Sequence, residues 1–326
     1  MKAWTWDRYG SPDVLRMDDV DEPAIGGGDV LVRVRACAAN PYDWRHVRSD
    51  PHLVRMTAGL RRPKPGLILG ADFAGVVERV GVDVTRFRPG DEVFGEVALG
   101  AFAEAVSVPQ QTLAVKPADV TFEDAAAVPM AGMTALQGLR DQGRIEAGQQ
   151  VLINGASGGI GTFAVQLAKA LGARVTGVCS TRNFELVRSI GADEVIDYNR
   201  EDFTQRRQRY DLVLDAVGNH SLAELRRALR RDGTLVIVGG IASGGGRLLG
   251  PGAQVLRGAL AARFVSQRIV AVLAKPNAED LHYLAELIEA GRVAPVIDRT
   301  YSFADVPDAI RYLEQRHARG KVVITV

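Results

Sequence analysis

Apolar and charged residues alternate from Val30 to Val34 (Val-Leu-Val-Arg-Val), the period of a strand with one buried face. Short runs rich in β-branched residues recur at 76–80 and 103–108. Between the runs lie the turn signals Gly26-Gly27-Gly28-Asp29 and Arg88-Pro89-Gly90-Asp91, so the first third reads as mostly β. After Lys116-Pro117 the pattern changes, starting with a Thr121-x-x-Asp124 capping signal ahead of an alanine-rich segment. Strands are predicted at 151–154, 174–179, 194–197, 212–215 and 234–238, with helical patterns between most of them. In one of these, Ile160, Phe163, Ala164, Leu167, Ala168 and Leu171 fall on a single helix face. Strands joined by helical crossovers predict a parallel, doubly wound α/β sheet.

The glycine-rich stretch Ser243-Gly244-Gly245-Gly246 follows, then an apolar segment around Phe264 and Val265. Asn277-x-x-Asp280 and Ser302-x-x-Asp305 mark helix starts, and 321–326 reads as a last strand. The expected organisation is a doubly wound unit at 118–265 inserted in a split, β-rich unit made of 1–117 and 266–326.

Composition narrows the function. The chain has 326 residues, 47% hydrophobic and 24% charged, enough to bury a core. Lys plus Arg is 40 against 39 for Asp plus Glu, without long blocks of either sign, which argues against nucleic-acid or membrane-surface partners and for a small molecule. Two cysteines, Cys37 and Cys179, are too few for a disulfide framework and fit a reducing compartment. No apolar window has signal-peptide or membrane-spanning length, so a cytoplasmic location is expected. The five histidines are scattered, suggest no Ser-His-Asp arrangement, and read as loop or surface residues.

Directly after the strand ending in Asn154 comes Gly155-Ala156-Ser157-Gly158-Gly159-Ile160-Gly161, in which Ala156, Gly158 and Gly161 keep the spacing of a dinucleotide fingerprint. The start turns tightly, Gly158 lets backbone approach a pyrophosphate, and Gly161 permits close helix packing. The following helix offers its N–H groups to the phosphates. NAD-preferring sites place a carboxylate at the end of the second strand. This chain has Cys179-Ser180-Thr181-Arg182-Asn183 there, where Ser180 and Arg182 suit a 2′-phosphate, so NADPH is the expected cofactor.

With these residues in place, the chain resembles the medium-chain dehydrogenase/reductase superfamily, in its zinc-independent quinone oxidoreductase branch. The resemblance rests on Asn40-Pro41-Tyr42-Asp43, Gly70-Ala71-Asp72-Phe73-Ala74-Gly75, Gly90-Asp91-Glu92-Val93, Ala131-Gly132-Met133-Thr134-Ala135, the glycine turn, Gly191-Ala192-Asp193 and Gly320-Lys321-Val322-Val323. It implies a Rossmann domain inserted in a GroES-like catalytic domain, and a homodimer. Asn40 and Ala71 stand at the matching positions of the family's zinc ligands, and neither suits such a site, so no metal is expected.

The resemblance implies that Asn40, Thr134, Tyr198, Ala216, Val217, Val238, Gly239, Phe264, Val265, Arg316 and Lys321 join the Ala156 to Ile160 turn, Ser180 and Arg182 around the cofactor. Arg45 replaces a tyrosine that lines the substrate in better-known members. The expected reaction is hydride transfer from NADPH to a quinone or an α,β-unsaturated carbonyl compound, with Asn40 or the Tyr42 hydroxyl stabilising the oxygen. The alternatives are an enoyl-thioester reductase and a redox-silent NADPH-binding sensor.

Overall fold

In a computed structural model of the chain, residues 1–238 and 266–326 are described, and they divide into two compact units. One comprises Met1–Met133, Lys275–Gly291 and Pro295–Val326; the other comprises Thr134–Ala274 and Arg292–Ala294.

The first unit is β-rich. A two-stranded sheet pairs β1 (Lys2–Thr5) with β2 (Arg16–Asp19). The main sheet is built on β3 (Asp29–Ala39), whose eleven residues serve two partners along one side. Asp29 to Arg33 pair with β6 (Ala105–Pro109), and Ala36 to Ala39 pair with β15 (Lys321–Thr325). On its other side lie β4 (Asp72–Val80), β5 (Glu92–Glu96) and β7 (Leu113–Val115) in turn, and β14 (Ile297–Ser302) closes the far edge beside β15. The terminal strand therefore sits inside the sheet, between β14 and β3. Alternation puts Val30, Val32 and Val34 in a core with Phe73, Phe87 and Phe102. The helix Val306–Glu314 packs against this sheet, and the helix Pro41–Arg48 packs on Val306–Glu314.

In the second unit six parallel strands run in the order β10 (Glu194–Asp197), β9 (Arg174–Cys179), β8 (Gln150–Asn154), β11 (Tyr210–Asp215), β12 (Leu229–Ile237) and β13 (Arg268–Ala271). The helix Gly159–Ala170 is the crossover between β8 and β9, with Phe163, Ala164, Leu167 and Ala168 buried as its period requires. The order reverses between β8 and β9 on one side and β8 and β11 on the other, the switch point at which open α/β sheets bind ligands.

The observed boundaries differ from 117/118 and 265/266. The capping signal is real, since Thr121 accepts from the Asp124 N–H at 3.0 Å. The short helix that it starts, however, packs on β3 and β4 of the β-rich unit, so a helix start does not mark the domain boundary. Residues 268–271 pair with β12 as a sixth parallel strand, which moves the second boundary beyond 266.

Candidate functional site

In the second unit the chain leaves β8 through Gly155, whose φ of +87° lies in the left-handed region that disfavours a side chain. A Cβ on Gly161 would stand 2.0 Å from the Gly155 carbonyl oxygen, so only glycine lets the helix close onto the turn. Gly158 is different. A Cβ there would meet only the Gly155 oxygen, at 3.5 Å, leaving an open face at the start of a twelve-residue helix. Backbone N–H groups and the helix dipole are directed to that face, so the turn fits a dinucleotide pyrophosphate.

Two side chains hold the surroundings of this turn. The Asp215 carboxylate accepts from Asn154 Nδ2 at 2.9 Å and from the N–H groups of Val217 and Gly218 at 3.1 and 3.0 Å, fixing the loop that carries Ala216 and Val217. Asn183 is buried and donates to Ser157 Oγ at 2.9 Å and Ser180 Oγ at 3.3 Å, tying the end of β9 to the turn. Thr181 donates to Asp197, Arg182 is exposed, and Tyr198 is 55% exposed at the end of β10. Val238 is buried, its N–H bonded to the Asp215 carbonyl, and reads as core. Thr134 is buried in the helix Pro129–Leu136. Gly239, Phe264 and Val265 lie outside the described residues.

The first unit holds a buried ionic cluster. Asn40 ends β3 and precedes the helix Pro41–Arg48. Its Nδ2 donates to Ala38 O at 3.2 Å and Asp72 Oδ2 at 3.0 Å, and its Oδ1 accepts from Lys321 Nζ at 2.6 Å. Lys321 also donates to Asp72 Oδ2 at 3.0 Å, an ion pair with 3% and 0% of its side chains exposed. Asp43 accepts the Asn40 N–H at 2.6 Å. Three carboxyls (Asp43, Asp72 and Glu96) thus surround one ammonium. Burial, then the charge of Asp72, pushes the Asp43 carboxyl up to about 8 against the opposing Asn40 N–H. Glu96 moves in the same direction, first through burial and then through Asp72. Both amide protons of Asn40 are therefore engaged, which departs from the expectation that Asn40 donates to a substrate oxygen.

Tyr42 is the donor left available. Its hydroxyl makes no hydrogen bond among the described residues, and burial, with Asp43 and Glu96 nearby, pushes its pKa up to about 12, so it keeps its proton at neutral pH. Its ring lies 4.1 Å from that of His46. His46 is buried, contrary to its expected surface role; burial lowers its pKa, and Nδ1 lies 2.9 Å from the Tyr42 carbonyl, so the neutral ring donates there. Arg316 follows the helix Val306–Glu314 and lies over Trp44, 5.7 Å from the ring centroid. Among the described residues no group of three or more His, Cys, Asp or Glu could hold a metal ion.

The alcohol dehydrogenase GroES-like domain family matches residues 26–118, and the zinc-binding dehydrogenase family matches 190–324. A 2-methylene-furan-3-one reductase from Solanum lycopersicum is 35% identical over 99% of this chain and 79% of its own length. An NADPH-dependent alkenal/one oxidoreductase, chloroplastic, from Arabidopsis thaliana is 34% identical over 99% of this chain and 79% of the relative. The quinone oxidoreductase from Coxiella burnetii superposes with a TM-score of 0.88 at 32% identity, covering 100% of this chain and 99% of that one. The chain belongs to the medium-chain dehydrogenase/reductase superfamily. Within it, these likenesses place the chain in the quinone oxidoreductase-like branch.

For a member of this superfamily, the matched family's zinc-binding description contrasts with Asn40 and Ala71 at the positions discussed above. Ala71 is fully buried and offers no ligand atom. Sequence reasoning missed Asn183 and Glu96. Asn183 sits beside Ser180 in the chain but acts on Ser157, 26 residues away. Glu96 enters the cluster because the register of β4 and β5 sets it opposite Asp72. No local signal announces either.

Proposed function

We propose that the protein is a zinc-independent, NADPH-dependent reductase of quinones and α,β-unsaturated carbonyl compounds. The observation that carries this reading is the likeness, over 99–100% of this chain, to reductases of conjugated carbonyls. The glycine turn of the second unit would hold the pyrophosphate, and Ser180, Arg182 and Tyr198 the 2′-phosphate, with Asn183 keeping Ser180 and Ser157 in register. When bound, NADPH supplies the hydride.

The chain's part is to manage charge and protons. Hydride addition to the β-carbon of an enone pushes an electron pair onto the carbonyl oxygen, and the enolate then takes a proton at the α-carbon; in a quinone both oxygens end protonated. Conjugation spreads the developing charge, so a hydrogen-bond donor suffices where a metal would otherwise polarise the oxygen. Tyr42 is that donor in our reading. Asn40 and Lys321 act through position: their mutual bonds fix the end of β3 from which the Tyr42 helix starts. The protonated carboxyls around Lys321 keep the cluster near neutral, so the site does not repel an enolate.

The protein is expected to act in the cytoplasm, and as a homodimer through β13, which pairs only with β12 and leaves a sheet edge free in the described residues. The test is NADPH oxidation against 1,4-quinones, enones, enoyl-CoA esters and simple ketones, with and without chelator. Turnover of the first two classes, unaffected by chelator and lowered about 100-fold by Tyr42→Phe, is expected. Tight NADPH binding without turnover of any class would replace the reductase reading with that of a sensor.

A further inference from the structure

On or just after the helices Pro41–Arg48 and Val306–Glu314 stand Arg45, Arg48, Arg311 and Arg316, and they are provided for unequally. Arg48 makes a two-bond contact with Glu314, at 2.6 and 3.0 Å. Arg311 is paired with Asp13 and Asp308. The side chains of Arg45 and Arg316 make no hydrogen bond or ion pair among the described residues, although both guanidinium groups lie over the same indole, that of Trp44, at 5.3 and 5.7 Å from the ring centroid.

Arg45 is the less comfortable of the two. Its Nε is buried and bonded to nothing. A buried donor without an acceptor is costly, more so when it is charged. Burial and then the charge of Arg316 depress its pKa, with only Asp50 opposing them. Arg316 adds an observation of its own kind. It takes φ +59°, at the left-handed position after a helix where glycine is the usual residue. A side chain there costs about 1–2 kcal/mol, and the one present carries a guanidinium over Trp44.

We propose that Arg45 and Arg316, stacked on Trp44, bind an anionic group of the substrate, a carboxylate or a phosphate. Guanidinium groups suit these planar or tetrahedral oxyanions, and the ring holds the forks in place. Arg45 is three residues beyond Tyr42 on one helix, so the two lie on the same face, with their Cβ atoms roughly 5–6 Å apart. The substrate class follows: a conjugated carbonyl compound whose oxygen reaches Tyr42 and whose anion sits a few bonds away. The inference rests on the reductase reading for the first of these contacts and is independent of it for the second.

The experiment compares 4-oxopent-2-enoic acid with its methyl ester, which differ in charge and little in shape. Steady-state kcat/KM is measured with saturating NADPH, and equilibrium binding of each compound to the full-length protein is measured by calorimetry. The acid is expected to have at least tenfold higher kcat/KM and affinity than the ester. Arg45→Met and Arg316→Met should each cut the acid-to-ester ratio about tenfold, and Arg45→Lys should restore part of it. Equal values for acid and ester, or a ratio unmoved in both methionine variants, would overturn the proposal. So would variants whose effect is confined to NADPH affinity, since the arginines would then serve a cofactor phosphate. Arginine-dependent binding of the acid without turnover of either compound would uphold the anion site while refuting the reductase reading.

Discussion

The glycine turn of the second unit and the ionic cluster of the first solve opposite problems. The turn works by what it lacks: with no Cβ at Gly155 and Gly161 the backbone closes on itself, and with none at Gly158 it leaves a face open. The cluster works by what it crowds together, with Asn40, Asp43, Asp72 and Lys321 all buried and bonded to one another. One site is built from backbone and neighbouring residues, the other from side chains up to 281 positions apart. The first tolerates change wherever space remains, whereas the second is left with an uncompensated buried charge when an ion-pair partner goes.

The largest effect is therefore expected from Lys321→Met. It leaves Asp72 with a buried charge and no ammonium, which costs about 3–5 kcal/mol. Denaturant unfolding of the β-rich unit should show that loss, and the double variant Asp72→Asn with Lys321→Met should recover at least half of it, because the charge disappears with its partner. A single variant within about 1 kcal/mol of the wild type would mean that the cluster is solvated and the comparison misplaced.

Next in size is a pair of alanines in the turn. Gly161→Ala drives a methyl group into the Gly155 carbonyl and should cost about 1–3 kcal/mol along with cofactor binding. Gly158→Ala meets only open space and should leave the melting temperature close to that of the wild type while weakening NADPH at least tenfold. Equal effects of the two on stability would show that Gly158 has no open face, and unchanged NADPH affinity in Gly158→Ala would show that the cofactor does not use it.

The same contrast explains what was legible in advance. The strands at 151–154, 174–179 and 194–197 and the helix on Ile160, Phe163 and Leu167 are local patterns, and the chain forms them there. The dinucleotide turn is local too. The boundaries expected at 117/118 and 265/266 are displaced because the segment from Thr121 packs on β3 and β4, and because residues 268–271 join a sheet whose other strands come earlier in the chain. The roles of Lys321 and Glu96 depend on β15 entering between β14 and β3 and on the register of β4 with β5, which no periodicity encodes. Asn40 stands out in the sequence, but its amide protons go to Asp72 and Ala38 and not to a substrate, because those partners come from the fold.

Arg182 sharpens the comparison from the nucleotide side. If the second strand's end reads the 2′-phosphate, Arg182→Ala removes a charge-assisted hydrogen bond worth about 1.5–3 kcal/mol, and NADPH affinity should fall roughly 10–100-fold. NADH has no such phosphate, so its affinity should hold within about twofold. Fluorescence titration of both cofactors decides it, and a parallel loss would move phosphate recognition elsewhere.

A dependence on pH, rather than a loss at one pH, tests whether the cluster carries the protons assigned to it. Asp43 holds its proton up to about pH 8 in the folded protein, because burial and Asp72 outweigh the Asn40 N–H and Lys321. In the unfolded chain it releases that proton near pH 4. Between these values the folded state binds the extra proton, so this group's contribution to stability falls as pH rises, by at most about 1.4 kcal/mol per unit, and is level above pH 8. Asp43→Asn cannot titrate and keeps an oxygen for the Asn40 N–H. Plotted against pH, the stability of wild type minus variant should therefore slope downward from pH 5 to pH 8 and then flatten. A difference that stays level over that range would mean that Asp43 is ionised in the fold, with Lys321 shared between two carboxylates and the cluster carrying the negative charge that an enolate would have to face.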